Sequence, residues 1–238
     1  MTKQELCRPI YDRYEKLVSA MQGNDLKQIK TLALELHAMV HPAEVSGLET
    51  LTIADRVWRF MCDGNQSLPV PREDYETDLH YAGTKMVPLC WYFWHTYRIE
   101  DLVSNVLMAN QTQIFDSQWQ QKIHASITDT GNALNEEEAI TFVNALDTVA
   151  LYEYMLEVGK NSRKIIEGLT LEQIRSMVPE EWVMNILEQG GVTTDFRSVW
   201  LLVFWGRLTC GEMILTPLTS HHMMHLPACL NLIPKEKK

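Results

Sequence analysis

Long apolar runs are missing from this chain: the most apolar stretch, Val199–Phe204, is far shorter than the roughly 20 residues a membrane-spanning helix requires. The opening residues, Met1-Thr-Lys-Gln-Glu-Leu-Cys7, lack the apolar core of a secretory signal, so a cytoplasmic protein is expected. Positive charge is equally scarce. Against 31 Asp and Glu stand 21 Lys and Arg, a formal net charge of −10, and the basic residues form no stripe. Such a surface repels phosphate backbones, so neither nucleic acid nor membrane is expected as a partner. The one basic run, Lys235-Glu-Lys-Lys238, reads as a solvated tail. The five cysteines (Cys7, Cys62, Cys90, Cys210, Cys229) are odd in number and have no CxxC spacing, which excludes a disulfide framework and points to reduced thiols. Glycine-rich phosphate loops, a Gly-x-Ser-x-Gly elbow and internal repeats are absent. So are alternating strands around an Asn-Gly or Asp-Gly turn, because Asp63-Gly64 has no such flanks.

What remains is helical periodicity. Leu6, Ile10, Tyr14, Leu17/Val18 and Met21 recur at three-to-four spacing over 3–21, with Gly23 as a stop. Asn24 or Asp25 caps a second helix that Pro42 ends. Residues 42–83 read as irregular around a short helix from Thr52 to Met61. Pro88 is tolerated only in a first turn, so the next helix is expected to begin near Lys85–Val87 and run to about Met108. A short helix around Gln118–Ile123 interrupts the loop 110–134. Asn135-Glu-Glu-Glu138 opens a helix expected to continue to Ile166, with Gly159 as a possible bend and Gly168 as its close. Thr170-Leu-Glu-Gln173 is a capping box, Pro179 starts a helix to Gln189, and Thr194 or Asp195 starts another. Thr216-Pro217 reads as cap and first position of the last helix. The chain is therefore expected to be all-α, a single domain over residues 1–238 with its core at about 25–232 and an accessory N-terminal helix over 1–23.

The chemistry lies in the histidines. His221 and His225 are four apart, so on a helix they share a face with Leu218, Ala228 and Leu232 and can grip one ion. His222 with His225 is a competing pair, but His221 keeps both ligands on the core face. A third ligand, His95, stands on the stripe of Trp91/Tyr92, Ile99, Leu102 and Val106, and should point inward. Three imidazoles without a fourth protein ligand describe an open, catalytic site rather than a closed one. Imidazole suits zinc, nickel or iron alike. The other HxxxH, His37 and His41, abuts Pro42, and a surface or supporting role is expected there; His80 and His124 lie in irregular segments. Glu100 and Asp101 point away from His95. Arg98 and Tyr92, three residues from it, are within reach of a bound anion or hydroxyl, and Cys90 and Cys229 are expected to be buried structural thiols. The Trp91, Trp94, Trp200, Phe204 and Trp205 aromatics read as core packing.

Trp94-His95-Thr-Tyr-Arg-Ile-Glu100 and His221-His-Met-Met-His225, with a long helix between, resemble the DinB-like superfamily of three-histidine metalloproteins over about residues 25–232. The resemblance implies an up-down-down-up four-helix bundle with a divalent transition metal on His95, His221 and His225, and often a homodimer. It further implies a metal-dependent transferase, isomerase or hydrolase acting on a small molecule with a low-molecular-weight thiol, or else a non-enzymatic stress-response or ligand-binding bundle. Leu226-Pro227-Ala228-Cys229 replaces the Gly-Gln-Ile element common in that superfamily, and Pro227 is expected to kink the helix just beyond His225. Segments 42–83 and 168–194 read as additions to the minimal bundle that roof the cavity.

Overall fold

The computed structural model describes residues 3–72 and 86–234. Helices dominate: α1 (Lys3–Met21), α2 (Leu26–Val40), α3 (Ala43–Ser46) and α4 (Ile53–Phe60) precede a short antiparallel pair, β1 (Pro69–Pro71) and β2 (Met86–Pro88), in which Val70 faces Val87. Then come α5 (Leu89–Asp101), α6 (Ser117–Ile123), α7 (Glu136–Ala145), α8 (Thr148–Gly168), α9 (Leu171–Arg175), α10 (Glu180–Glu188), α11 (Phe196–Trp205), α12 (Cys210–Leu215) and α13 (His221–Leu230). Among the described residues the fold is all-α apart from that two-stranded ribbon. No helix among the described residues is long and apolar enough to cross a membrane. His80 and the tail from Lys235 lie outside the described residues.

Local chemistry sets most of the boundaries. Asp25 caps α2 by accepting from the Gln28 amide at 2.9 Å. Thr52, Asn135, Thr170 and Thr209 each close a capping box with the residue three positions on. Four expectations are corrected. The helix opening at Asn135 stops at Ala145, because Asp147 turns the backbone and caps a new helix through the amides of Val149 and Ala150. Gly159, expected as a bend, lies inside α8 without interrupting it. Thr216-Pro217 does not open the last helix either: Thr209 does, and Thr216–Ser220 forms a π-helical turn joining α12 to α13. Proline has no N–H to give there. Thr219 donates its hydroxyl to the carbonyls of Ile214 and Leu215 at 2.8 and 2.9 Å, satisfying groups the widened turn frees. Pro88, expected inside the first turn, instead stands just before it as the cap of α5, and α5 passes into a second π-helical stretch, Leu102–Met108.

Helix α5 occupies the centre. Every residue from Leu89 to Asp101 is buried, so it has no solvent face at all. It packs against α8 and α13, while α2 packs against α1 and α8. A helix buried all round must satisfy each polar side chain it carries inside the protein. Arg98 shows how completely this is done. Its guanidinium donates to Asp101 Oδ2 and Tyr154 Oη, each at 3.0 Å, to the Thr128 carbonyl at 2.8 Å and to Gln113 Oε1 at 2.5 Å. Asp101 in turn accepts from the amides of Ile114 and Phe115 at 2.8 and 2.9 Å. Arg98 thus fastens the 110–130 loop to α5 and is committed to the fold, not to an anion.

Candidate metal centre

That loop aims His95. Trp91 and Trp94 donate their indole N–H groups to the carbonyls of Gly131 and Asp129 at 3.1 and 3.0 Å, and His95 Nδ1 donates to the Thr130 carbonyl at 3.0 Å. Three successive carbonyls of one loop are therefore read by one face of α5. With Nδ1 carrying the proton, the neutral ring presents an unprotonated Nε2, the form that binds metal. Trp91 stacks on the imidazole at 4.2 Å with the planes 12° apart, which fixes its tilt. Gly131 permits the approach. It has φ +74°, and a Cβ there would lie 2.9 Å from Trp91 Nε1.

The last helix supplies the partners. His225 Nε2 lies 3.0 Å from His221 Nε2, and the ring of His95 stands 5.0 Å from that of His221 and 5.6 Å from that of His225. One donor atom from each of the three falls within 4.8 Å of the others. Zinc–nitrogen bonds of 2.0–2.1 Å put tetrahedral ligands about 3.3 Å apart, so the His221–His225 pair already stands near ligand spacing. Burial, then the charges of His221 and Arg72, hold the His95 pKa well below its ordinary value, keeping the ring neutral. Three imidazoles converging in this way fit a divalent transition metal. α13 runs on through Pro227 to Leu230, and the expected redirection of His225 does not prevent its meeting His221. Tyr92, considered as an anion contact, instead packs its ring 4.7 Å from His225 and donates its hydroxyl to the Pro71 carbonyl at 2.6 Å.

A cavity of about 480 Å³ opens beside His95 and His221. Its walls are mostly apolar and aromatic: Tyr11 and Tyr14 from α1, Trp200 and Phe204 from α11, Met223 and Met224 from α13. Among the described residues none from 42–72 or 168–194 lines it, so the expected roof comes instead from the N-terminal helix and α11. Trp91, Trp94 and Trp205 are core residues, as expected, whereas Trp200 and Phe204 are half-buried cavity walls. Among the described residues no cysteine or carboxylate lines the space. Cys90 and Cys229 are fully buried, and burial, with a smaller contribution from Cys62, pushes the Cys90 thiol up to about 12.

A second buried group can also hold an ion: His37, His41 and Glu100. Neither histidine of this HxxxH is at the surface, each being 0% exposed, which corrects the surface reading. The sequence signal was present in the i,i+4 spacing. The abutting Pro42 obscured it, yet α2 keeps its form to Val40 and the two rings stack at 3.5 Å and 6°. Glu100 does point away from His95, as expected, but into the packed interior.

Comparisons with protein-family models, with curated proteins and with solved structures found no match.

Proposed function

We propose that this chain is a metal-dependent protein of the DinB-like type, acting on a small apolar molecule as a thiol-dependent transferase or isomerase, or as a hydrolase. In this reading α2, α5, α8 and α13 are the four helices of the bundle. His95, His221 and His225 hold one divalent transition metal: zinc, nickel or iron. The observation that carries it is the convergence of three imidazoles from two distant helices, two of which, His95 and His221, line a 480 Å³ cavity. A metal with three protein ligands keeps a position open and lowers the pKa of a water or thiol placed there.

The remaining work falls to the chain itself. The Thr130 carbonyl and Trp91 hold His95 in one tautomer and one tilt. Tyr11, Trp200 and Phe204 offer a flat apolar surface that accepts an apolar substrate and sheds water, which strengthens electrostatic interactions beside the histidines. Asn132, Thr216 and Ser220 bring polar groups to that wall. Among the described residues no thiol or carboxylate lines the cavity, and in this reading the nucleophile comes from solution, as water or a small thiol. The reading extends to a homodimer, for which Phe196 and Val203, 63% and 56% exposed and two turns apart on α11, offer an apolar face.

The test is turnover by metal-loaded full chain on a panel of esters and of electrophiles paired with small thiols. Activity reduced more than about 100-fold in His225→Ala supports the reading. Stoichiometric metal at the triad without turnover on any member of the panel moves the protein to the ligand-binding class.

A further inference from the structure

On the side of α5 away from the cavity, the Glu100 carboxylate sits among α2, α8 and α13 with 0% exposure. Among the described residues its ion-pair contacts are all with histidines. Oε2 lies 2.6 Å from His41 Nε2 and 2.9 Å from His222 Nε2; Oε1 lies 3.2 Å from His37 Nε2 and accepts the Ser162 hydroxyl.

The hydrogen inventory of His41 is the telling part. Its Nδ1 donates to the His37 carbonyl at 2.8 Å, so the neutral ring has only a lone pair at Nε2. That lone pair faces an anionic oxygen at 2.6 Å. Two electron-rich atoms do not hold such an approach in a buried site without a cation between them. The ring of His37, parallel to that of His41, brings a second Nε2 to the same carboxylate. Room for the pair is made by Gly159, where a Cβ would lie 3.1 Å from His41 Cδ2 and 3.0 Å from Val45 Cγ2.

We propose that His37, His41 and Glu100 form a second metal site, closed and structural, holding one divalent transition-metal ion. Two imidazole nitrogens and the two carboxylate oxygens supply four donors, and none of the three residues lines the cavity, so no position is left for substrate. The 3.2 Å edge between His37 and Glu100 already has the spacing of zinc ligands, about 3.3 Å, and the 2.6 Å edge opens by about 0.7 Å on binding. Ser162 and His222 donate to the carboxylate and hold it in place, as outer partners of a metal site do. The ion would fasten the end of α2 to α5, with α8 and α13 tied in through Ser162 and His222.

The rival occupant is a proton on His41, giving an imidazolium–carboxylate pair. The full chain, loaded with zinc and in a separate preparation with iron(II), is crystallised and anomalous difference maps are collected at each metal edge. A peak among His37, His41 and Glu100 is expected in at least one form; none in either overturns the site and leaves the proton. In solution the bound metal is expected to fall from two ions per chain to one in Glu100→Gln and likewise to one in His225→Ala. Equal metal in wild type and Glu100→Gln overturns the proposal, and the crystal test on wild type stands even where that variant fails to fold. A peak at this site with none at His95, His221 and His225 supports the inference while overturning the proposed function, so the two fail separately.

Discussion

His222 Nε2 meets Glu100 Oε2 at 2.9 Å, whereas His221, one residue earlier, lines the cavity and faces His225 at 3.0 Å. Adjacent residues on a helix of 3.6 residues per turn point about 100° apart. The His221-His222 doublet is therefore divided between two buried clusters, and the rotation of α13 is held from both sides.

That division makes the two histidines separable by mutation. His221→Ala is expected to weaken zinc binding at the cavity site more than 10-fold, measured by calorimetric titration, with little change in the metal-free melting temperature. His222→Ala keeps all three cavity ligands but removes a donor from a buried carboxylate, at a cost of about 1–3 kcal/mol. For a chain of this size that lowers Tm by roughly 2–4 °C per kcal/mol.

Metal removal gives the complementary readout. Chelator-treated protein is expected to melt lower than loaded protein, and zinc at 100 times its Kd restores about 2.7 kcal/mol per site that binds only the folded state. Thermal melts across a zinc titration measure this. A Tm indifferent to both chelator and zinc contradicts either metal site.

Acid is expected to destabilise the metal-free protein from about pH 6.5 downward. His37 titrates at about 3 in the folded chain against 6.5 as its ordinary value, so between those values the unfolded chain binds more protons and stability falls with pH. Burial lowers His95 and His222 in the same direction. For Glu100, burial alone would raise the pKa, but the His41 charge and the hydrogen bonds from His222, His37 and His41 win and hold it well below 4.5. Its contribution is present above 4.5 and is lost as pH falls through the folded value. Urea melts from pH 8 to 4 should show a slope of roughly 1 kcal/mol per pH unit for each such histidine; a flat profile between pH 7 and 5 refutes the neutral, buried assignment.

Arg98→Lys tests the loop anchor. An ammonium cannot reproduce a fork that serves Asp101, Tyr154, Gln113 and Thr128 together. Breaking this buried pair is expected to cost about 3–5 kcal/mol in urea unfolding. Zinc binding at the cavity site is expected to weaken as well, because the loop that Arg98 anchors carries the Thr130 carbonyl that orients His95.

Gly131→Ala acts on His95 through the loop. The left-handed backbone at φ +74° and the 2.9 Å approach to Trp91 Nε1 leave no space for a methyl group. A loss of about 1–3 kcal/mol is expected, with a shifted tryptophan emission spectrum and weaker zinc binding at the cavity site. Unaltered zinc affinity would show that the loop does not aim the ligand.

The parts of this protein legible from sequence are those decided within a few residues. The Asp25 cap, the Thr170 capping box and the Asp195 start all follow from side chains bonding nearby amides. The pairing of His221 with His225 is of the same kind, since helical spacing alone puts them on one face. The break at Leu146-Asp147 was less legible, because an aspartate inside an apolar periodic run caps a helix only if the chain turns there. Tertiary packing decided the rest. Periodicity assigns an inner and an outer face, but α5 has no outer face, so Glu100, which points away from His95, meets another buried cluster and not solvent. His37, Glu100, Ser162 and His222 come from four helices, and no local rule brings them together. Short-range hydrogen bonding fixes where helices begin and end; which of their buried polar groups meet depends on how whole helices pack, where each charge must find a partner out of reach of water.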